Sequence, residues 1–283
     1  MKKWFLEYIH SFRLGFDFWA TFLIDFMYLG LCMMIFTWFL DWLKNRSQEL
    51  LQNKTLEEVQ AMMASAHPEQ SLVFLASLKN FLWLAIGGVV FLVVAAGLLY
   101  SLSRAVIWYH LLGKKWSWKN YGKWNVFNLV LIIPLLFYGL FYFIGSSIAA
   151  LLIKWLITLI PSLYFKFPAF FQGFTTFVNS FVSFSYGLGA LMLLFLLYYT
   201  FATEYVVWAS IGKAFHVMRL KKKQLARVFW QALLTTFLLA LAAMPLRSVI
   251  QGIIFLSVGF DLMLFCLFVA WLRLGVWRVL EEN

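Results

Sequence analysis

The chain has 283 residues, of which 64% are apolar, 20% aromatic and only 12% charged. Soluble domains carry about 25% charged and about 45–50% apolar residues, so this composition excludes a soluble globular domain, a disordered chain and a disulfide scaffold. A net charge of +11 on such a chain bears first on membrane topology.

In chain order, Met1-Lys2-Lys3 opens like a signal peptide. Glu7, Arg13 and Asp17 interrupt the run, however, and no small-residue cleavage site follows it. An uncleaved membrane helix is expected instead. A helix needs about 20 apolar residues to cross a bilayer, and six intervals qualify, over about 16–40, 79–103, 124–150, 182–204, 228–246 and 250–272. They are too long and too continuously apolar for barrel strands. The expected fold is all-α: a polytopic bundle of six transmembrane helices arranged as three hairpins, with amphipathic helices at the interface. A seventh span, made by breaking the third at Gly145-Ser146-Ser147, would put Lys154 in the bilayer, where a charge costs at least about 2.5–3.5 kcal/mol.

With the N-terminus inside, 16 of the 23 basic residues fall on the inner side. This matches the positive-inside bias and places both termini in the cytoplasm, in a cytoplasmic or equivalent membrane. The outer loop 41–71 holds a capping box, Thr55-Leu56-Glu57-Glu58, that predicts a short amphipathic helix ended by Pro68. Asn45 and Asn53 head glycosylation sequons on the same side. Further on, Phe167, Phe170, Phe171, Phe174, Phe177 and Phe181 recur at helical spacing behind Pro168. They predict an interfacial helix or a long extension of the fourth span, with an aromatic lid as the sharper alternative.

The inner segments 104–123 and 205–227 mix lysine with tryptophan. Lys114, Lys115, Trp116, Trp118 and Lys119 form one patch, and Arg219, Lys221, Lys222, Lys223 and Arg227 the other. Indoles suit the headgroup boundary and lysines reach lipid phosphates, so anionic membrane lipids are the expected contacts. Other membrane proteins are the second class of partner. Nucleic acid is not expected, because no recognition module accompanies the charge.

His10, His110 and His216 each precede an odd-numbered span, with a basic residue three or four positions later. The pattern suggests three related units and an inner vestibule carrying three histidines. The six-span plan invites comparison with mitochondrial carriers, but no proline here is followed two residues later by an acid, as their signature requires.

Asp25 and Asp261 lie within the first and last spans. Intramembrane acids are costly and commonly line a cavity or carry cations. If the hairpins closed into a ring, the two carboxylates would share a site and one pKa would rise. That supports permeation or transport of a small solute or ion. A non-catalytic scaffold or complex subunit is the equal alternative. An intramembrane aspartyl protease is remote, since Val258-Gly259-Phe260-Asp261 lacks the second glycine before the acid. Cys32 and Cys266 form no CxxC or Cys/His cluster, so no metal and no cofactor are expected.

Overall fold

A computed structural model describes residues 15–51, 57–58, 68–159, 167–250 and 252–281. Their elements are all helical. They are α1 (Phe16–Leu51), α2 (Pro68–Leu111), α3 (Trp118–Leu159), α4 (Pro168–Glu204), α5 (Val207–Leu220), α6 (Lys222–Ile250) and α7 (Ile254–Glu281). All but α5 are long and apolar enough to cross a membrane. The protein is a multi-pass membrane helix bundle, and α5 is the short helix that joins its second hairpin to its third.

Sequence chemistry sets the helix ends. Asp17 places a carboxylate in the first turn of α1, where the exposed amides carry partial positive charge. Pro68 and Pro168 open α2 and α4, at first-turn positions whose amides need no partner. Pro68 therefore begins the second spanning helix. Of the stretch 55–63 the structure describes only Glu57 and Glu58, both helical and exposed, so the expected surface helix lies outside the described residues. At the end of α2, Gly113 takes φ +60° while Lys114 N–H donates to the Tyr109 carbonyl at 2.9 Å and Gly113 N–H to that of His110 at 3.2 Å. This glycine-dependent stop satisfies carbonyls that would otherwise be orphaned.

Helix α3 runs unbroken through Gly145-Ser146-Ser147, so the seventh span is not formed. Ser146 and Ser147 bond back to the Phe143 carbonyl at 3.0 and 2.8 Å. The phenylalanine-rich stretch continues directly into α4, as a long extension of the fourth span. Pro134 in α3 and Pro245 in α6 sit inside helices, as membrane helices tolerate.

The chain divides into two compact units, Asp25–Ser103 and the residues flanking that segment on both sides. The flanking unit holds almost all the buried side chains. They come from Phe18, Thr21 and Phe22, residues 104–111, the first turns of α3 and α6, the last turns of α4 and α7, and α5. These ends form the packed end of the unit. At its centre Phe127 stacks on Phe201 (centroids 4.0 Å apart, planes at 6°), and the Trp124 edge meets Phe201 at 5.0 Å. Lipid gives helices no hydrophobic drive to associate, so this interlocking contact is what holds them. Residues 104–111, expected to begin a connecting segment, instead continue α2 and are mostly buried, Ala105, Ile107 and Trp108 fully so, while Val106 and His110 are exposed. Arg104 closes the charge-free interval in the sequence, yet the apolar run resumes immediately behind it.

Farther from the packed end, α3 and α4 remain paired by a reciprocal tyrosine–glycine contact. Tyr138 Oη occupies the space a Cβ on Gly189 would need and donates to the Tyr186 carbonyl at 2.8 Å. Tyr186 stands in the same way against Gly145, and Tyr142 meets Ser183 Oγ at 2.8 Å.

In the other unit, α1 and α2 meet over residues 28–39 of the one and 88–100 of the other. Tyr28 donates to the Ala96 carbonyl at 3.4 Å and lies 5.7 Å from the Tyr100 ring. Eleven residues on, Phe39 presses its ring edge into the gap left by Gly88.

Candidate functional site

Buried polar groups in a membrane bundle gain most from local partners, and three threonines and a serine of the packed end find them on backbone carbonyls. Thr21 reaches Phe18 at 3.1 Å and Thr235 reaches Gln231 at 2.9 Å. Thr200 Oγ1 lies 3.0 Å from both the Leu196 and the Ser210 carbonyls, and Ser210 Oγ donates to Val206 at 2.6 Å. The corner between α4 and α5 is thereby stapled from both sides.

Two arginines are buried at this end. Arg273 of α7 is fully enclosed with its guanidinium 5.2 Å from the Phe195 ring centre, and Arg104 is 6% exposed. A desolvated guanidinium over an aromatic face is held by the ring quadrupole, worth about 2 kcal/mol or more. By charge count alone both belong to the basic inner surface. The signal for Arg273 was available in its surroundings, since Cys266 to Val276 is otherwise uncharged.

Two lysines bind helix ends. Lys114 Nζ donates to the Ala202 and Thr203 carbonyls of α4 at 2.6 and 3.3 Å and sits 4.8 Å from the Tyr205 ring centre. Lys221 Nζ does the same to Val279 and Leu280 of α7, at 2.8 and 3.2 Å. A cation at a helix C-terminus meets both orphan carbonyls and the negative end of the helix dipole. Tyr205 caps α4 in the left-handed region (φ 53°), which costs a non-glycine residue about 1–2 kcal/mol. Lys114 above its ring and Tyr109 stacked 6.2 Å away hold it there. Burial pushes the Lys114 ammonium below its ordinary pKa, partly countered by Glu204, and burial raises the Tyr205 hydroxyl. Glu204 itself pairs with Lys213.

The other basic and aromatic residues named from sequence lie outward. Lys115, Trp116, Trp118, Lys119, Arg219, Lys222, Lys223 and Arg227 are exposed. The Trp116 ring meets Trp118 edge-on at 5.6 Å and lies 5.5 Å from Tyr109, which joins this surface to the core.

The two acids are differently placed. Asp25 is buried, 2% exposed, and belongs to the Asp25–Ser103 unit. Asp261 belongs to the other unit and accepts from Arg247 Nη2 at 2.6 Å and Nε at 3.0 Å, across the α6–α7 hairpin. Arg247 is the partner sequence reading did not assign. Of the histidines, His110 lies with Nε2 3.0 Å from Asp17 Oδ1, and His216 is exposed on α5. His10 and Asn53 lie outside the described residues. Asn45 is exposed and helical, with Ser47 of its sequon bonding the Lys44 carbonyl at 2.8 Å. Among the described residues no three His, Cys, Asp or Glu side chains group as a metal site. Comparison with protein-family models, curated proteins and solved structures finds no match to this chain.

Proposed function

We propose that this membrane protein is a non-catalytic subunit that holds a partner protein against the α3–α4 hairpin. The observation that carries the reading is length. At 1.5 Å per residue, the 42 residues of α3 and 37 of α4 extend about 63 and about 55 Å, against a hydrocarbon core of about 30 Å. Even a tilt of about 40° lets only about 26 residues lie in that core. Counted from the lysine-bearing packed end, Leu151, Leu152 and Trp155 of α3 and Phe170, Phe174 and Phe177 of α4 project beyond it, all exposed and apolar. Apolar surface outside the lipid calls for cover. The partner's matching face is apolar and largely uncharged. The exposed lysines and tryptophans of the packed end then rest on an anionic cytoplasmic leaflet, with both termini on that side.

The test is the mass of the particle extracted in mild detergent. The reading expects a particle well above the 33.1 kDa of one chain. It expects that mass to fall to one chain in Phe170→Ser/Phe174→Ser/Phe177→Ser, with helicity retained. A monomeric wild type in native membranes, probed by cross-linking before extraction, would overturn it.

The burial of Asp25 favours transport as the second reading, because ionisable side chains within membrane helices commonly serve passage of ions or solutes. It expects Asp25→Asn to abolish flux at unchanged expression. Undiminished flux would remove it.

A further inference from the structure

In the Asp25–Ser103 unit the two helices touch at two levels and stand apart between them. At one level Tyr28 bridges to the Ala96 carbonyl. At the other Phe39 is seated against Gly88, where even a methyl group would lie 2.5 Å from its ring. These aromatic struts fix the separation of the helices and leave a slot of about 380 Å³ between them. Its lining is almost wholly apolar, with small Cys32, Ala95 and Ala96 along it. Met33 and Val93, at its rim, are exposed. The volume falls in the range of small-molecule sites, about 300–1,000 Å³.

Length and level identify the occupant. Tyr28 and Phe39 are eleven residues apart, a rise of about 16 Å, and half of a hydrocarbon core of about 30 Å is about 15 Å. The slot is therefore one leaflet deep. At the Phe39 end lie Trp42, stacked on Phe39 at 5.8 Å, and the exposed Trp38 and Trp83. Tryptophans mark the headgroup level, and exposed Lys44 and Lys79 follow immediately beyond them. The Tyr28 end accordingly falls near the bilayer midplane. We infer that the slot between α1 and α2 holds one acyl chain of a bilayer phospholipid, entering at the tryptophan level and ending at Tyr28. The struts keep the helices from closing on themselves, so the slot is filled from the membrane.

The experiment uses the full chain in phosphatidylcholine vesicles doped with a phospholipid carrying a photoactivatable diazirine midway along one chain. After illumination, adducts are mapped by peptide mass spectrometry. In the wild type they should concentrate on Cys32, Met33 and Leu92, which line the slot, over Phe91 and Val94, which serve as the freely lipid-exposed control on α2. Ala96→Phe and, separately, Cys32→Phe should each lower the slot adducts about tenfold, the effect of about 1.4 kcal/mol of lost affinity, while leaving the control adducts unchanged. Equal labelling of slot and control in the wild type overturns the inference without requiring any variant to fold. So does a disulfide between Cys32 residues of two chains under mild oxidation, which would put a second copy in the slot.

Discussion

Tyr186 Oη stands 2.5 Å from the point where a β-carbon on Gly145 would be, and Tyr138 fills the equivalent space at Gly189. Each helix offers a glycine where the other offers a phenol, so α3 and α4 interlock without a hydrophobic drive. Gly189→Ala should displace the Tyr138 hydroxyl from the Tyr186 carbonyl and cost about 1–3 kcal/mol by overpacking. Removing the hydroxyl as well, in Gly189→Ala/Tyr138→Phe, should recover part of that loss. Thermal unfolding in detergent gives both values, and strict additivity of the two changes would contradict the contact.

Lys114 should titrate below the ordinary lysine value of about 10.4, because burial disfavours its charged form. The unfolded chain then binds more protons than the folded one between the lowered pKa and that ordinary value. Stability from this group accordingly rises with pH across the interval and is flat below it. Glu204 acts in the opposite sense, so Glu204→Gln should lower the Lys114 pKa further. Carbon-13 NMR of dimethylated lysines reads the titration. A Lys114 pKa that rises in Glu204→Gln would contradict the arrangement.

Arg247 and Asp261 tie the α6–α7 hairpin at the end away from the core. Both side chains are substantially exposed on the hairpin, and because an unpaired charge at the edge of a span is costly the pair should be worth about 1 kcal/mol or more. Asp261→Asn and Arg247→Gln should therefore weaken the protein to a similar degree, and the exchange Arg247→Asp/Asp261→Arg should restore most of the loss. If the exchange is as damaging as the two single changes together, pairing is not the role of Asp261.

Phe195 and Arg273 form the desolvated cation–aromatic contact of the core. A double-mutant cycle with Phe195→Leu and Arg273→Met should give a coupling of about 2 kcal/mol. Coupling within error of zero would mean that Arg273 is held by other groups alone.

The spans were legible because lipid punishes charge, so uncharged intervals mark membrane crossings. The helix ends were not, because a backbone helix needs no apolarity. Helix α1 continues past Leu40 through Lys44, Asn45 and Arg46 to Leu51, and α2 runs on past Arg104 for another two turns. Charge counting treats every arginine alike and cannot separate exposed Arg219 from enclosed Arg273. That lysines favour helix C-termini is a general rule, but which terminus Lys114 or Lys221 meets depends on how distant segments fold together. The pairing of Asp261 with Arg247 needed the register of one hairpin, which hydropathy does not carry. The tyrosine–glycine contacts needed the register of another.

The largely buried stretch Cys266–Val276 also bears on the order of assembly. Ala270, Leu272, Arg273 and Val276 are fully buried at the packed end, so the last helix to be made completes that wall. While the ribosome is still making α7, neither the guanidinium that will lie against Phe195 nor the C-terminal carbonyls that Lys221 will hold yet exist. A chain stopped before residue 266 would keep the α3–α4 tyrosine–glycine contacts and the Lys114 hold on α4, and would lack the Lys221 hold on α7 and the Arg273–Phe195 contact.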